Sequence, residues 1–524
     1  MKKFFHGWKG CIRMLFNSYE FMFLFMPITL LGLYSLNKLC STKIRIAWLV
    51  IMSLIFYSWW NPAFLFLLGG SICFNYVIGF LLAENQNKQK RLIKSIYILW
   101  FGIGIDLLVL IYYKYFGFLL DSLNVFFAAG FSTGNIILPI GISFFTFTQI
   151  AFLVDVYRGN VKEYHFLSYI LFVTFFPHLI AGPILHHKEM MPQFEDENTL
   201  PFSWSNFTVG TTVFIWGLFK KVVIADSLAK FATPVFEVAA HGQMLFLGEA
   251  WIGALAYTLQ LYYDFSGYSE MAMGLAFMCN IRLPVNFMSP YKAVSIIEFW
   301  RRWHMTLSRY LKDYLYIPLG GNRQGEAKKF RNLMITMLLG GLWHGAGWTF
   351  IIWGALHGVF LVINHLWKKT NISLPNIICW LMTFLCITVA WVFFRADTLH
   401  TAVIIVKGMF GVNGIVLPTE ILNKVPYMKN YILESTILMT ESTLSAKEAL
   451  PWIAISFFAV FVPNIIQMTQ KYNSGLFNKN QRTLLSVSKL CWRPSCFWGI
   501  AFGLMATISL LFMSHVSEFL YFQF

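Results

Sequence analysis

The amino-acid sequence predicts an all-α integral membrane protein, because of its composition and its apolar segments. Of the 524 residues, 57% are hydrophobic and only 12% are charged, whereas an ordinary soluble domain has about 25% charged residues. The mean hydropathy of +0.61 agrees, because a bilayer removes the need for a polar exterior. The aromatic content of 18% suits a protein whose Trp and Tyr side chains lie at the membrane interfaces.

Apolar segments of spanning length recur along the chain, since a spanning helix needs about 20 mainly apolar residues. Two further apolar stretches, 136–155 and 166–185, are interrupted by Pro and Gly. Such broken backbone is tolerated at membrane depth only where protein or water covers it. We therefore expect about eleven to thirteen membrane-embedded helices, some of them re-entrant or broken. The clear candidates are 19–37, 46–60, 62–83, 96–119, 208–231, 249–278, 332–366, 376–394, 450–467 and 497–514.

The net charge of +16 raises the question of nucleic-acid binding, but the distribution of the charge argues against it. Lys and Arg occur in short runs between apolar segments, as in the cytoplasmic loops of membrane proteins, and not on one face interleaved with stacking aromatics. The expected partners are the lipid bilayer and an acidic donor molecule at the cytoplasmic face. The eight cysteines show no zinc-site spacing, so we predict no metal site.

Residues 1–18 are predicted to be a basic amino-terminal extension, followed by a single polytopic membrane domain over 19–524. A tight turn at Asn61-Pro62 places two basic loops on one side of the bilayer, which should be cytoplasmic, and the extension on the other side. This placement conflicts with the basic residues of the extension. Either the extension is an interfacial segment, or translation normally starts at Met14.

The segment 285–331 is strongly basic and has an amphipathic helical pattern. It contains nine Lys and Arg but only three acidic residues, and its apolar residues recur at helical spacing. Glu298 with Arg302, and Arg309 with Asp313, stand four residues apart and are expected to pair on the helix surface. The pattern predicts an interfacial helix on the cytoplasmic side of the membrane.

His344 is the strongest candidate for chemistry. It lies in the segment 339–348, Leu-Gly-Gly-Leu-Trp-His-Gly-Ala-Gly-Trp, which we expect to be the interior of an apolar span. An ionisable side chain inside the membrane is expensive and by default marks a functional site, and imidazole is suited to proton transfer near neutral pH. The surrounding glycines are expected to let a narrow substrate approach. The structural alternative is a neutral imidazole that is hydrogen-bonded between helices.

Two other ionisable residues stand in apolar surroundings. His304 lies in Phe-Trp-Arg-Arg-Trp-His within the amphipathic segment, and taken alone it reads as an interfacial residue. Asp264 lies at membrane depth and must be paired or hydrogen-bonded, and an Arg of 301–309 is the expected partner. A structural role for Asp264 is as compatible with the sequence as a catalytic one.

Several of these segments together resemble the membrane-bound O-acyltransferase family, in particular its bacterial branch similar to the alginate O-acetyltransferase membrane subunit. The resemblance extends in order over most of the chain, and its motifs are specific. The sequence departs from the family pattern in its extra amino-terminal residues and at His178, where Gln is expected. The matching segments are Phe-Pro-His-Leu-Ile-Ala-Gly-Pro-Ile at 176–184, Tyr-Asp-Phe-Ser-Gly-Tyr-Ser at 263–269, Phe-Trp-Arg-Arg-Trp-His at 299–304, Leu-Lys-Asp-Tyr-Leu-Tyr-Ile-Pro-Leu-Gly-Gly-Asn-Arg at 311–323, and 339–348.

The resemblance implies helices arranged around a trans-bilayer tunnel, with His344 at the family's central histidine position and His304 at its second histidine position near the cytoplasmic mouth. It implies an acyltransferase that takes an acyl group from a cytoplasmic thioester, acetyl-CoA or another acyl thioester, with no tightly bound cofactor. His344 is expected to act as general base, or alternatively as a transient acyl carrier. His304 is expected to support activity at the donor end.

The resemblance also implies a multi-pass location in a bacterial inner membrane. The expected partner is an extracytoplasmic SGNH-type acetyltransferase, with a Ser-His-Asp site, that O-acetylates a polysaccharide. Alginate, cellulose, another exopolysaccharide and peptidoglycan all stay open as the acceptor. Two other functions are alternatives: D-alanyl transfer to teichoic acid, and a non-enzymatic transporter or flippase.

Overall fold

The computed structural model describes residues 14–37, 41–87, 94–127, 130–131, 136–161, 165–196, 201–414, 446–472, 490–513 and 520. These residues form helices and connecting turns and contain no β-strand, which confirms the predicted all-α class. Residues 1–13 of the predicted extension lie outside the described residues. The described residues 14–18 are largely buried against the core, and the division at 18/19 stays a prediction.

The first half of the chain contributes ten helices within the described ranges, and short π-helical turns join several of them end to end. The π-turns are Phe21–Phe25 before α1, Ile111–Tyr115 between α4 and α5, and Lys220–Ala225 after α10. The helices are α1 Met26–Asn37, α2 Thr42–Ser58, α3 Phe64–Asn87, α4 Ser95–Leu110, α5 Phe116–Phe127, α6 Ile142–Tyr157, α7 Phe166–Thr174, α8 Phe176–Leu179, α9 His187–Glu195 and α10 Trp204–Phe219.

The second half of the described chain carries the two candidate histidines. A further π-turn, Lys312–Tyr316, follows α14. The helices are α11 Asp226–Ala240, α12 Leu247–Met278, α13 Ile296–Arg302, α14 Met305–Leu311, α15 Glu326–His344, α16 Trp348–Trp367, α17 Asn376–Arg395, α18 Leu399–Met409, α19 Ala446–Ala459, α20 Ile465–Met468 and α21 Cys496–Phe512.

Membrane-crossing character is spread along the whole described chain. Five helical stretches in the described residues are long and apolar enough to cross a bilayer, and five shorter apolar helices accompany them. Large apolar side chains are exposed on the outside, with Phe66 86% and Val125 83% accessible. In water such a surface would be costly, whereas lipid tails solvate it, and helices satisfy their backbone groups internally. The five long stretches are Phe64–Asn85, Ser95–Phe127, Trp204–Ala240, Trp348–Trp367 and Asn376–Arg395.

The antiparallel helices α10 and α12 touch backbone to backbone. A Cβ added to Gly210 would lie 2.7 Å from the carbonyl oxygen of Gly274, and one added to Gly217 would lie 2.5 Å from that of Gly267. Both approaches need glycine on both helices, seven residues apart on each. Small residues at such contacts let membrane helices approach closely and gain van der Waals packing.

Buried ion pairs continue this contact toward the carboxyl end of α10. Lys220 pairs with Glu270 at 2.7 Å, and Lys221 pairs with both Asp264, at 2.7 Å, and Asp226, at 2.9 Å. The prediction that an arginine pairs with Asp264 is therefore wrong, because the carboxylate pairs with Lys221 of the π-turn after α10. A buried charge needs such a partner at short range, since its desolvation is otherwise uncompensated.

The apolar run that we expected to be one span over 332–366 is divided into two helices. α15 ends at His344 and α16 begins at Trp348, and the two helices pack against each other. At their open end Lys369 pairs with Glu326, and Lys329 lies 3.2 Å from Nδ1 of His365. A helical hairpin results, and the segment that contains His344 lies at its turn.

The amphipathic segment is likewise two short helices, α13 and α14, which are separated at His304. The predicted pair of Glu298 and Arg302 is confirmed at 2.7 Å. The predicted pair of Arg309 with Asp313 is wrong, because Arg309 instead binds both carboxylate oxygens of Glu189 in α9, at 2.6 and 2.9 Å. This bidentate ion pair attaches α14 to the segment that follows the broken stretch 166–185.

The glycine contacts of α10 and α12 give a first prediction. Gly274→Ala places a methyl group 2.6 Å from the Gly210 carbonyl oxygen, so the helices must separate, at a cost of about 1–3 kcal/mol. We expect a lower melting temperature of the detergent-solubilised protein. Gly69→Ala in α3, whose Cβ would meet nothing, is the matched control and should melt like the wild type. Equal melting of both variants would contradict the contact.

Candidate active site

His344 is the last residue of α15, and its backbone is held by side chains of the π-turn Ile111–Tyr115. The ammonium group of Lys114 donates to the carbonyl oxygens of Trp343, at 2.6 Å, and His344, at 3.3 Å, and the hydroxyl of Tyr115 donates to that of Leu342, at 2.9 Å. The last carbonyls of a helix lack intrahelical donors, and a cation is favourable at this negative end of the helix dipole. Lys114 and Tyr115 thus fix where α15 ends.

The imidazole of His344 is buried among aromatic rings. The ring centroids of Trp343, Trp353 and Phe394 lie 4.9, 5.0 and 5.2 Å from that of His344. The ring of His304 lies 6.3 Å from that of His344. The two histidines that the sequence singled out are therefore brought together, although 40 positions separate them in the chain.

His304 occupies a backbone conformation that is unusual for a residue with a side chain. Its φ of 42° and ψ of 53° lie in the left-handed region, which costs non-glycine residues free energy and is found preferentially at functional sites. The residue is fully buried. Its Nδ1 lies 3.1 Å from Oδ1 of Asn286, and its ring packs edge to face against Phe265 of α12 at 4.8 Å.

A third buried histidine, His357 in α16, belongs to the same cluster and was missed in the sequence. Its ring lies 4.8 Å from that of Trp353, which also contacts His344. The indole of Trp300 donates to Nδ1 of His357 at 3.3 Å, so the proton of its neutral ring is on Nε2. The sequence does indicate His357 by the same criterion as His344, since both are ionisable residues in an apolar segment.

Gly341 and Gly345, on either side of His344, allow close helix packing rather than substrate access. A Cβ on Gly341 would lie 2.3 Å from the carbonyl oxygen of Phe350, and one on Gly345 would lie 2.1 Å from the ring of Phe350. The expectation that these two glycines open space for a substrate is therefore wrong. Only Gly347 has ordinary clearance, with its nearest neighbour at 3.6 Å.

The two other notable residues of the sequence have structural partners. Asp264 lies in the ion-pair cluster described above and also accepts the backbone N–H of Leu520 at 3.1 Å. His178, which departs from the family pattern, donates from Nε2 to the carbonyl oxygen of Phe172 at 2.9 Å.

A polar cluster joins α6, the π-turn Lys312–Tyr316 and the loop before α9. The hydroxyl of Tyr314 donates its proton to Asp155 at 2.9 Å. Nδ1 of His186 lies 3.1 Å from the hydroxyl oxygen of Tyr314, and because that hydroxyl has no second proton, Nδ1 is the donor of this hydrogen bond. Burial, and then the charges of Arg309 and Lys188, lower the pKa of His186 to about 3. His186 is therefore neutral at physiological pH. Within the described ranges, no group of three or more His, Cys, Asp or Glu residues could hold a metal ion.

The fold and the site together define a class of protein: a helical membrane protein with a cluster of buried imidazoles. A model of the membrane-bound O-acyltransferase family matches residues 84–399. The chain belongs to this family, and it is an acyltransferase. The resemblance that the motifs predicted is confirmed, and an acyl donor is its substrate.

Two kinds of relative share high identity with the chain. The peptidoglycan O-acetyltransferase of Helicobacter pylori is 42% identical, over 98% of this chain and 98% of the relative. The probable alginate O-acetylase AlgI of Pseudomonas putida is 46% identical, over 76% of this chain and 80% of the relative. A teichoic acid D-alanyltransferase of Streptococcus thermophilus is 28% identical, over 45% of this chain and 59% of the relative.

The contact between Lys114 and the end of α15 gives a second prediction. Lys114→Met removes the donor to two terminal carbonyls, and a hydrogen bond with a charged partner contributes about 1.5–3 kcal/mol. We expect a lower melting temperature and reduced acyl transfer. Lys43→Met, at an exposed lysine near the start of α2, should change neither. Wild-type melting and activity of the Lys114→Met protein would show that this contact does not position His344.

Proposed function

We propose that this protein transfers an acetyl group from a cytoplasmic thioester, acetyl-CoA or another acyl thioester, to an acceptor hydroxyl for O-acetylation of an extracytoplasmic polysaccharide. The observation that carries the proposal is the buried pair of imidazoles, His344 and His304, with ring centroids 6.3 Å apart. An acyl transfer needs a group that removes the proton of the hydroxyl as the oxygen attacks. A buried imidazole is suited to that task.

In the proposed reaction His344 is the general base. It takes the proton of the acceptor hydroxyl, the hydroxyl oxygen forms a bond to the acyl carbon, and the carbon–sulfur bond of the donor breaks. The proton then passes from His344 to the leaving thiolate, so that ester and free thiol are the products. In the alternative, a ring nitrogen of His344 bonds to the acyl carbon as the carbon–sulfur bond breaks, and the acceptor hydroxyl oxygen then bonds to the acyl carbon as the carbon–nitrogen bond breaks and the ring takes the hydroxyl proton.

The position of His344 along α15 supports a reaction between the two sides of the membrane. Lys328, Lys329 and Arg331 mark the basic end of this helix. At 1.5 Å per residue, His344 lies about 20 Å further along the helix axis than Arg331, within a hydrocarbon core about 30 Å thick. A donor that enters from the basic, cytoplasmic side and an acceptor on the far side would meet at this depth. A trans-bilayer tunnel is part of the proposal.

Peptidoglycan is the acceptor that the comparisons favour. The relative named for peptidoglycan aligns along 98% of both chains, whereas the alignment with the alginate-type relative covers 76% of this chain. The D-alanyltransferase aligns with only 45% of the chain, which speaks against D-alanyl transfer. We include in the proposal an extracytoplasmic SGNH-type partner that places the acetyl group on the glycan, and a location in the bacterial inner membrane.

The catalytic role of His344 gives a third prediction. Purified protein in proteoliposomes receives acetyl-CoA with a radiolabelled acetyl group, and the label that reaches peptidoglycan fragments, with a soluble extract as the source of the partner, is counted. His344→Ala should lower the rate about 10²–10⁴-fold, the usual contribution of a general base. His400→Ala, at an exposed histidine of α18, should keep the wild-type rate.

Several results would contradict the proposal. A folded His344→Ala protein with the wild-type rate would exclude His344 as the base. Transfer of D-alanine from a thioester carrier to teichoic acid, without acetyl transfer, would show that the protein is a D-alanyltransferase instead. Solute flux into liposomes without any thioester would favour a transporter. Label on alginate alone would replace peptidoglycan as the acceptor.

A further inference from the structure

Asn286 lies in the extended connection between α12 and α13, fully buried beside His304. Its Oδ1 lies 3.1 Å from Nδ1 of His304, 3.3 Å from the backbone N of Thr306 and 2.9 Å from Oγ1 of Thr306. Its Nδ2 donates to the hydroxyl of Ser269 on α12 at 3.3 Å. One amide side chain thus joins the second histidine to the central helix.

Two independent contacts determine which end of this amide faces His304. A backbone N–H can only donate, so the atom that faces the N–H of Thr306 must be the amide oxygen. The hydroxyl of Thr306 accepts the N–H of Ile184 at 3.1 Å and therefore directs its own proton to Asn286. Both contacts place Oδ1, and not the NH₂ group, beside His304.

The orientation of the amide determines the tautomer of His304. Because the carbonyl oxygen of Asn286 has no proton to give, the nitrogen that faces it must be the protonated one. In the neutral ring the Nδ1 atom then carries the hydrogen, and Nε2 carries the lone pair. The partner of one ring nitrogen commonly sets the role of the other in this way.

We propose that Asn286 is a positioning residue that holds neutral His304 in the Nδ1–H tautomer, so that Nε2 acts as a hydrogen-bond acceptor in the acyl transfer. The tautomer is inferred from the hydrogen-bond geometry. Its role in acyl transfer rests on the proposed function. With its lone pair on Nε2, neutral His304 can accept a hydrogen bond from an N–H or O–H group of a bound substrate, while the proton of the reacting hydroxyl goes to His344. It cannot donate one from Nε2 to the thioester carbonyl. The proton for the leaving thiolate therefore comes from His344.

The surrounding backbone supports the same arrangement. The N–H of Met305 donates to the carbonyl oxygen of Asn286, and the N–H of Met288 donates to that of Arg302, both at 2.9 Å. These two bonds flank the left-handed residue His304 and offset part of the cost of its conformation. Asn286 thus binds both the backbone and the ring of the segment that it positions.

Kinetics of Asn286 variants test the proposal in the acetyl-transfer assay. Asn286→Leu, which has a similar shape but no acceptor, should lower kcat about 10–100-fold, the range found when a hydrogen-bond partner that orients a metal-bound histidine is removed, with little change in the donor KM. Asn286→Asp should retain most of kcat, because a carboxylate oxygen accepts from Nδ1 while the Ser269 hydroxyl donates to the other oxygen. In a His304→Gln background, Asn286→Leu should cause no further loss.

The outcomes separate positioning from general damage to the fold. An equal loss in Asn286→Leu and Asn286→Asp, or a further loss in the His304→Gln background, would overturn the proposal. Asn413→Leu is the matched control, since that amide donates to the carbonyl oxygen of Leu245, away from the histidines. It should leave kcat unchanged.

Solid-state NMR of the wild-type protein in lipid tests the tautomer without any activity measurement. With ¹³C,¹⁵N-labelled histidine, the signals that disappear in His304→Gln belong to His304, and they should show Nδ1 protonated and Nε2 unprotonated. A wild-type signal of the Nε2–H tautomer would overturn the proposal. Absence of acetyl transfer in the wild type would instead overturn the proposed function, while the NMR result for His304 would stand.

Discussion

The backbone contact between α10 and α12 is the constraint on which the rest of the site depends. Without side chains at the paired glycines, the two helices approach until Cβ atoms would collide with carbonyl oxygens. This closeness brings Lys221 within 2.7 Å of Asp264. The attraction between the two charges offsets the free energy of their desolvation at membrane depth. The same stretch of α12 presents Phe265 to the ring of His304 and Ser269 to the amide of Asn286. One glycine-paired helix thus supports the second histidine from two sides.

The two candidate histidines are held by polar contacts from outside their own helices. His344 stands at a helix end whose orphan carbonyls are satisfied by Lys114 and Tyr115 from a distant part of the chain. His304 stands in a left-handed break between two short helices, and its ring nitrogen is bound by Asn286. Both imidazoles therefore sit where regular helix stops. At the end of a helix or at a break, one side chain can point into the core without the residues three and four positions away also facing the core.

Aromatic rings form the walls around these polar groups. Trp353 contacts both His344 and His357, and Phe394 closes another side of His344. Rings exclude water, which would strengthen the interactions of a charge that develops there in the proposed reaction. They also offer few hydrogen-bond partners, so a single polar contact, such as that of Asn286 with His304, has a large effect on which ring nitrogen carries the proton. The amide of Asn286 matters for this reason.

Composition and apolar segments by themselves determined the membrane class and the all-helical fold, because the bilayer leaves few other ways to satisfy a backbone. Ordered motifs determined the family and singled out His344 and His304. Tertiary structure decided the rest. The partner of Asp264 is Lys221 and not an arginine, and the partner of Arg309 is Glu189 and not its neighbour Asp313.

Only the tertiary structure brought Asn286 and Lys114 to the site, and it also added His357, which the sequence could have indicated as an ionisable residue in an apolar helix. Periodicity reports which residues face apolar surroundings, whereas the hydrogen-bond partner of a buried group depends on which distant side chain packing brings within about 3 Å.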